Sequence, residues 1–146
     1  MSPLKAAAGL LVAMLVAANP AAAQKADIGE RELREACGFH PDGINVCLSA
    51  KVHESETRLR AAHDYAYKQI ALWDEYPKYK QLARTRLRTA DMAYAKYREA
   101  HCAFAASIGG GVLGYALETR RLACVAALND RRAESLQSFT VGLEKR

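Results

Sequence analysis

The sequence has few of the residues that build β-sheets or interrupt helices. Only 8% of its 146 residues are aromatic, and it contains four prolines and nine glycines. Alternation of apolar and polar residues over a useful strand length is also missing. Alanine and leucine dominate instead, and a hydrophobic fraction of 51% excludes a disordered or collagen-like chain. We therefore expect a single all-α domain.

The chain also lacks an apolar run long enough to span a bilayer. The longest run, residues 6–18, has thirteen residues, whereas a spanning helix needs about 20. Lys5 precedes this run, and the small residues Ala21–Ala23 follow it as a cleavage site. This order is typical of a secretory signal peptide over residues 1–23. Residues 24–146 then form the predicted helical domain, which is periplasmic or secreted and has no membrane span.

All four cysteines lie in the predicted mature chain. An even number of cysteines in an exported protein predicts two disulfides. Four cysteines allow three connectivities, and the sequence alone does not choose among them. The spacing favours the two pairs that each close a local segment, which are Cys37 with Cys47 and Cys102 with Cys124.

Motifs for metal binding and for haem attachment are absent. The chain has no C-x-x-C pair and no H-E-x-x-H, and its four histidines show no ligand spacing. His101 and Cys102 are adjacent in sequence, so their side chains diverge on a helix. We expect no metal and no other cofactor.

Catalytic constellations are missing as well. Glu54 and Glu56 lie on different faces of a helix, so they are not a paired acid and base. No serine stands in a G-x-S-x-G context, and the glycines at 109–111 are not followed by the Lys-Ser/Thr of a phosphate-binding loop. The sequence therefore predicts a protein that acts by binding and is not an enzyme.

Apolar periodicity predicts three long helices preceded by a short one, packed as a small antiparallel bundle. The short helix opens with a capping box of Asp27 and Glu30. The glycines at 109–111 end the third helix, because glycine is unfavourable inside a helix. The first helix ends near Ala36, and the others run from Asn45 to about Trp73, from Tyr79 to Ser107, and from Leu117 past Leu136.

The apolar positions also predict which face of each long helix is buried. In the second helix they recur every three or four residues, apart from a seven-residue gap that contains Ser55. The expected stripe of the second helix is Leu48, Val52, Leu59, Ala62, Ala66, Ile70 and Trp73. That of the third is Ala83, Leu87, Ala90, Tyr94, Tyr97 and Phe104, and that of the fourth is Leu122, Val125, Leu128 and Leu136.

The residues around the third cysteine resemble a known family. The stretch from Ala90 to Cys102 is followed by a Gly-Gly turn, by a further Cys, and by an Arg and a Leu. In these features the chain resembles the lysozyme inhibitor LprI-like proteins, over about residues 37–139. The matching positions are Tyr94, Tyr97, Arg98, Cys102, Gly109, Gly110, Cys124, Arg131 and Leu136. Two positions depart from the family pattern, since Tyr94 replaces a Trp and Asn129 stands where a Thr is common.

The resemblance implies an exported inhibitor that occludes the cleft of a lysozyme, so the expected partner is a protein. We interpret Tyr94, Tyr97, Arg98, Arg131 and Leu136 as structural residues of the motif. We expect Arg98 in particular to position the end of the third helix beside Cys102 and not to contact a partner.

A glycosidase cleft admits a protruding loop more readily than a smooth helix flank, and the sequence offers two such loops. The first is Gly38–Gly43, which contains Asp42 and is closed by the favoured first disulfide. The second is Ile108–Tyr115, which contains Gly109 and Gly110. Its Tyr115 is suited to stacking in a sugar site. We expect the second loop to carry binding, because it lies inside the region that resembles the family.

The charge of the chain favours a second interpretation. Without residues 1–23 the chain keeps 20 basic and 16 acidic side chains, a net charge of +4, whereas common animal lysozymes are also cationic. Residues 78–88 contain five cations and no acidic residue. The alternative function is therefore binding of an anionic surface of the cell envelope through residues 78–88. Tyr76 and Tyr79 beside this run are also compatible with a nucleic-acid surface, but export makes nucleic acid an unexpected partner.

Overall fold

The computed structural model describes residues 29–109 and 114–143, and within these ranges it contains helices and no strand. The helices are α1 (Glu30–Cys37), α2 (Ile44–Leu72), α3 (Pro77–Ser107) and α4 (Gly114–Thr140). The predicted all-α bundle of three long helices and one short helix is confirmed. The predicted signal peptide, Asp27 and Gly110 lie outside the described residues.

The short helix α1 begins differently from the prediction. Gly29 occupies its N-cap position without a side-chain hydrogen bond, and Glu30 is the first helical residue. A capping box needs the acidic residue at the third helical position, so the predicted box at Glu30 is wrong. Leu33 and Cys37, one turn apart, form the buried face of α1.

The three long helices alternate in direction, so α2 and α4 run parallel and α3 runs antiparallel to both. Two contacts fix the parallel pair, since Asn45 meets Thr119 near one end and Arg58 meets Asp130 further along. Two contacts show that α3 is antiparallel to α4. Cys102, late in α3, is bonded to Cys124, whereas Asp91, earlier in α3, binds Arg132, which is later in α4. The main interface of the bundle joins α2 to α4.

Small side chains allow α2 and α4 to pack closely. Ala62 and Ala66 on α2 and Ala123 on α4 are fully buried. Leu48 packs in one cluster with Ala123 of α4 and with Leu33 and Cys37 of α1. Interaxial distances depend on the side chains at the contact, so alanines bring the two helices together. A second cluster joins α2 to α4 further along and consists of Leu59, Ala62, Ala133 and Leu136.

Both disulfides have the pairing that the spacing favours. Cys37 is bonded to Cys47 and fastens α1 to the first turn of α2, while Cys102 is bonded to Cys124 and fastens α3 to α4. Loops of 10 and 22 residues each correspond to about 3 kcal/mol of stabilisation in the chain-entropy model. Both crosslinks lie at the end of the bundle where α2 and α4 begin.

The predicted stripe of α3 is partly wrong. Leu87 and Tyr94 are half-buried as expected, but Ala90, Tyr97 and Phe104 are exposed. The inward face of α3 includes Leu87, Tyr94 and Ala105, and it also carries two charged residues, Asp91 and Arg98. A search for apolar periodicity skips charged residues, so the predicted stripe is rotated toward the exposed aromatic side chains.

Candidate functional site

The end of the first predicted loop lies against Tyr115, the last residue of the second predicted loop, whose residues 110–113 are outside the described part of the chain. Gly43 ends the first loop, and a Cβ atom built on it would be 3.5 Å from the Tyr115 hydroxyl oxygen. Asn45, in the first turn of α2, donates its side-chain amide to the Tyr115 carbonyl over 3.4 Å. Because α2 and α4 are parallel, the loops that precede them meet at one end. Tyr115, predicted to lie in a loop, is in the first turn of α4, which begins at Gly114. We call residues 38–43, the turn residues 108–109 and the first two residues of α4, 114–115, the loop pair.

A small polar clamp holds the loop pair. The Thr119 hydroxyl oxygen is 2.6 Å from Asn45 Oδ1 and 3.0 Å from the Tyr115 carbonyl, so it ties α2 to the first turn of α4. Thr119 is buried, which shields this contact from water. Gly43 has a φ of +96°, a conformation that other residues rarely adopt, so glycine is needed at this point of the chain.

The first loop is closed by its own hydrogen bonds as well as by its disulfide. The His40 amide donates to the Cys37 carbonyl at 3.1 Å, and the Gly43 amide donates to the His40 carbonyl at 2.9 Å. The Asp42 amide donates to the His40 ring nitrogen Nδ1 at 3.3 Å. This contact holds the backbone that carries the exposed Asp42 carboxylate. The loop is therefore held in shape before any partner arrives.

The most exposed large apolar side chain of the loop pair is one that the sequence analysis missed. Phe39 is 100% exposed at the tip of the first loop, and Ile108 and Tyr115 are about 60% exposed in the second part. Buried aromatic anchors dominate many protein interfaces, and an exposed aromatic residue in a fixed loop is a candidate for that role. The sequence does contain a signal for this exposed ring, because Phe39 stands among turn residues between two cysteines.

A second polar arrangement crosses the middle of the bundle, and we call it the polar seam (Ser55, Tyr94, Arg98 and Asn129). Asn129 Oδ1 accepts hydrogen bonds from Arg98 Nη1 at 2.7 Å and from the Tyr94 hydroxyl at 3.3 Å. Asn129 Nδ2 donates to the Ser55 hydroxyl oxygen at 3.1 Å. Ser55 and Asn129 are fully buried, so this seam joins α2, α3 and α4 inside the core.

Two arginines surround the ring of Tyr94. The guanidinium carbons of Arg98 and Arg132 lie 6.0 and 5.6 Å from the ring centre. Arg132 also binds the Asp91 carboxylate at 2.8 Å, and His63 Nδ1 lies 3.1 Å from the same carboxylate. Burial raises the pKa of Tyr94 to about 12, although the two arginines act in the opposite direction. The phenol is therefore neutral at physiological pH and serves as a hydrogen-bond donor.

The remaining family-motif residues have separate places. Tyr97 is exposed and packs on His101, with ring centres 5.2 Å apart. Leu136 is buried beside Leu59, and Arg131 is exposed on α4. Gly109 lies in the turn after α3, where its amide donates to the Ala106 carbonyl. Gly109 belongs to the loop pair, whereas Tyr97, Leu136 and Arg131 join neither the loop pair nor the polar seam. The roles predicted for these residues stay predictions.

No ligand centre of the usual kind is found among the described residues. Within residues 29–109 and 114–143 no three His, Cys, Asp or Glu side chains are grouped to hold a metal ion. An open depression of about 190 Å³ lined by Tyr65, Gln137 and Val141 is smaller than the pockets that usually bind small molecules. Over the same ranges no helix has the length and apolar character needed to cross a membrane.

The basic run 78–88 lies on the first half of α3 and is mostly exposed. Lys80 donates to the Ala71 carbonyl at 3.2 Å and so caps the end of α2. Among the described residues, Lys78, Arg86 and Arg88 form no ion pair with a carboxylate. The run is thus a patch of available positive charge, on a different part of the molecule from the loop pair.

Comparison with known families gives one result that bears on function. A family model described as lysozyme inhibitor LprI matches residues 40–136, well over half of the chain, and this range includes Asp42, Tyr115 and the polar seam. Comparisons with curated proteins and with solved structures found no match. The family description names an inhibitor, which is a binding function toward a protein and agrees with the expectation of no catalysis. The chain belongs to the lysozyme inhibitor LprI family.

Proposed function

We propose that this chain is an exported protein that inhibits a lysozyme by occluding its cleft with the loop pair, without catalysis. The observation that supports this proposal most strongly is the geometry of the two loops. They meet at one end of the bundle, a disulfide lies at the base of each, and they present exposed Phe39 and Tyr115. The signal peptide proposed for residues 1–23 supplies the route of export, and two disulfides agree with an oxidising compartment.

The shape of the target explains why a loop is needed. A glycosidase holds its sugar chain in a groove between two carboxylates, and its subsites accept flat, partly apolar rings. Phe39 at the tip of a protruding loop has the size and exposure to enter such a groove. The disulfide between Cys37 and Cys47 reduces the conformational entropy that the loop loses on binding.

The distribution of charge supports binding at this end even to a cationic lysozyme. Residues 29–54 carry five carboxylates, including Asp42, and three cationic side chains. On α4, Glu118 is paired with Arg121 at 2.6 and 2.8 Å, and this hydrogen bonding lowers the pKa of the Glu118 carboxyl. The excess of positive charge lies instead on α3. A cationic partner approaching the loop pair thus avoids the repulsion that the net charge of the whole chain suggests.

The proposal is tested with the mature protein and a lysozyme that digests cell walls. We expect Phe39→Ala and Tyr115→Ala to raise the inhibition constant, with about a 30-fold rise if either residue is an interface hot spot. The matched control is Phe139→Ala, which removes another exposed ring from the far end of α4. Melting temperatures are measured together with inhibition, so that loss of fold is recognised. Unchanged inhibition in both loop variants, or equal loss in the control, contradicts the proposal.

The second candidate function is binding of an anionic envelope surface through residues 78–88. It is supported by a separate observation, the exposed cations of α3 that have no carboxylate partner among the described residues. Retention on immobilised heparin, a soluble polyanion, tests it in its simplest form. We expect Lys78→Glu with Arg86→Glu to abolish retention at moderate salt and to leave lysozyme inhibition unchanged.

A further inference from the structure

We propose that the outward face of α3 binds the surface of an anionic lipid bilayer, with the helix lying along the membrane plane. This inference rests on the second candidate function and names its partner. The face is longer than the basic run from which that function was predicted. We call it the outward strip, and its members are Lys78, Leu82, Arg86, Arg88, Met92 and Lys96.

Helical spacing places these residues on one side of α3. At about 100° per residue, Lys78 and Lys96 point in the same direction, and the other members of the strip lie within about 80° of them. All six are exposed, and Leu82 and Met92 are 51% and 57% exposed. The inward residues Leu87 and Tyr94 lie on the opposite side, so no other helix of the described residues covers the strip.

The charge of the strip has one sign over five turns. No acidic residue occurs between Tyr76 and Ala90, and Asp91 faces inward to Arg132 and His63. Exposed Glu99 is the next carboxylate on this side of the helix and marks the end of the strip. At the other end, Glu75 precedes α3 and accepts a hydrogen bond from the Tyr76 amide at 2.9 Å.

The cations of the strip differ from two cations of the neighbouring helix that are paired. On α2, Lys51 binds Glu54 at 3.0 Å and Arg58 binds Asp130 at 2.8 Å. Within the part of the chain that the structure describes, no carboxylate pairs with Lys78, Arg86 or Lys96. An anionic surface therefore attracts the strip without first breaking an internal ion pair.

The apolar members of the strip favour a bilayer over a soluble polyanion. Leu82 and Met92 alternate with the cations, and Tyr76 and Tyr79 at the start of α3 are 70% and 44% exposed. A polyanion is bound by charge alone, whereas a lipid surface also takes up apolar side chains and holds tyrosines at its headgroups. The second kind of partner explains exposed leucine and methionine among cations that have no carboxylate partner in the described residues.

The position of the strip is compatible with the proposed inhibition of lysozyme. The strip lies along the side of the bundle that α3 forms, whereas α1 packs against α2 and α4. The loop pair lies at the end where α2 and α4 begin. A molecule that rests on a membrane through α3 therefore keeps its loops open to a soluble enzyme.

The experiment uses mature full-length protein and two kinds of vesicle, phosphatidylcholine alone and phosphatidylcholine with phosphatidylglycerol. We expect binding to the anionic vesicles only, weakening as salt is added. Replacing Lys78 and Arg86 by glutamate is expected to weaken vesicle binding at least 25-fold, since each cation near an anionic surface contributes about fivefold. Replacing the exposed Arg31 and Arg60 by glutamate is the charge-matched control and is expected to weaken it much less.

A second variant separates the bilayer from the general anionic surface. Leu82→Ser with Met92→Ser is expected to weaken vesicle binding several-fold and to leave heparin retention unchanged. Heparin retention without vesicle binding overturns the inference and leaves the second candidate function standing. Vesicle binding that is unchanged in Leu82→Ser with Met92→Ser has the same consequence. Absence of both heparin and vesicle binding overturns both.

Discussion

The two ends of the bundle are built in different ways. At the loop end, two disulfides, the fully buried Leu48 and Ala123, and the clamp of Asn45 and Thr119 fix the backbone. The opposite end, which we call the basic end, carries the basic run 78–88 on the first half of α3, and no residue of α3 before Cys102 is buried. A rigid end is suited to recognising the shape of a protein cleft, whereas an end that presents charge on a bare helix needs no exact geometry. The comparison assigns shape recognition to one end and charge recognition to the other.

The largest expected effect concerns the crosslinks. Replacing Cys102 and Cys124 by alanine is expected to lower the free energy of unfolding by about 3 kcal/mol, measured by chemical denaturation. Leu82→Ala at the basic end is expected to change it by less than about 0.5 kcal/mol, because half of that side chain is exposed. Equal losses at the two ends would remove the contrast between them.

The next effect concerns the polar seam that separates the two ends. Asn129→Ala is expected to cost about 2 kcal/mol, because it leaves Ser55 and the charged Arg98 without their shared partner. In a double-mutant cycle with Arg98→Ala, the double variant should lose less stability than the sum of the two single losses, because both substitutions remove the same hydrogen bond. Independent, additive effects of the two substitutions would mean that the seam does not act as a unit.

A smaller effect compares two arginines of the same helix. Arg98→Ala is expected to lower stability by on the order of 1 kcal/mol, since Arg98 bonds to buried Asn129. Arg86→Ala, at an exposed position without an ion-pair partner in the described chain, is expected to fall within about 0.5 kcal/mol of wild type. If Arg98→Ala kept full stability and lost inhibition, Arg98 would be a binding residue and its structural interpretation would be reversed.

The smallest effect is spectroscopic and depends on pH. The pKa of Tyr94 is raised from 10.0 to about 12, so the folded protein holds this proton more tightly than the unfolded chain does. The contribution of Tyr94 to stability is therefore complete below about pH 10 and is lost as the pH rises toward 12. In an absorbance titration, one tyrosine should ionise late, and Tyr94→Phe should remove that late step. A late step that persists in the variant belongs to another tyrosine.

Much of the fold was accessible from the sequence, because helical periodicity and cysteine spacing are local signals. The order of four helices was predicted correctly, and the disulfide pairing that the spacing favoured, without excluding the other two, is the one observed. Errors arose where polar residues face inward. Charged Asp91 and Arg98 belong to the inner face of α3, and Ser55 fills the seven-residue gap in the stripe of α2. A polar residue at an apolar register position therefore indicates a polar partner inside the bundle, which is Asn129 for Ser55 and for Arg98, and Arg132 for Asp91.

The arrangement of the candidate site was less accessible. The sequence presents the loop at 38–43 and the turn at 108–115 as two separate candidates. Their proximity depends on α2 and α4 starting at the same end, which is a property of the packed bundle and of no local segment. Phe39 was not predicted, because helical periodicity gives no information about a turn. An aromatic residue in a crosslinked turn has no core to enter and is therefore exposed.

The measurement that tests the central assignment most directly is amide chemical-shift mapping of labelled mature protein with added lysozyme. We predict that the shifts with the largest changes cluster at residues 38–43 and around Tyr115, and that the amides of α3 between Lys78 and Lys96 change little. Addition of anionic vesicles should give the reverse pattern. Lysozyme-induced changes concentrated on α3, or no changes at all, would contradict the assignment of inhibition to the loop end.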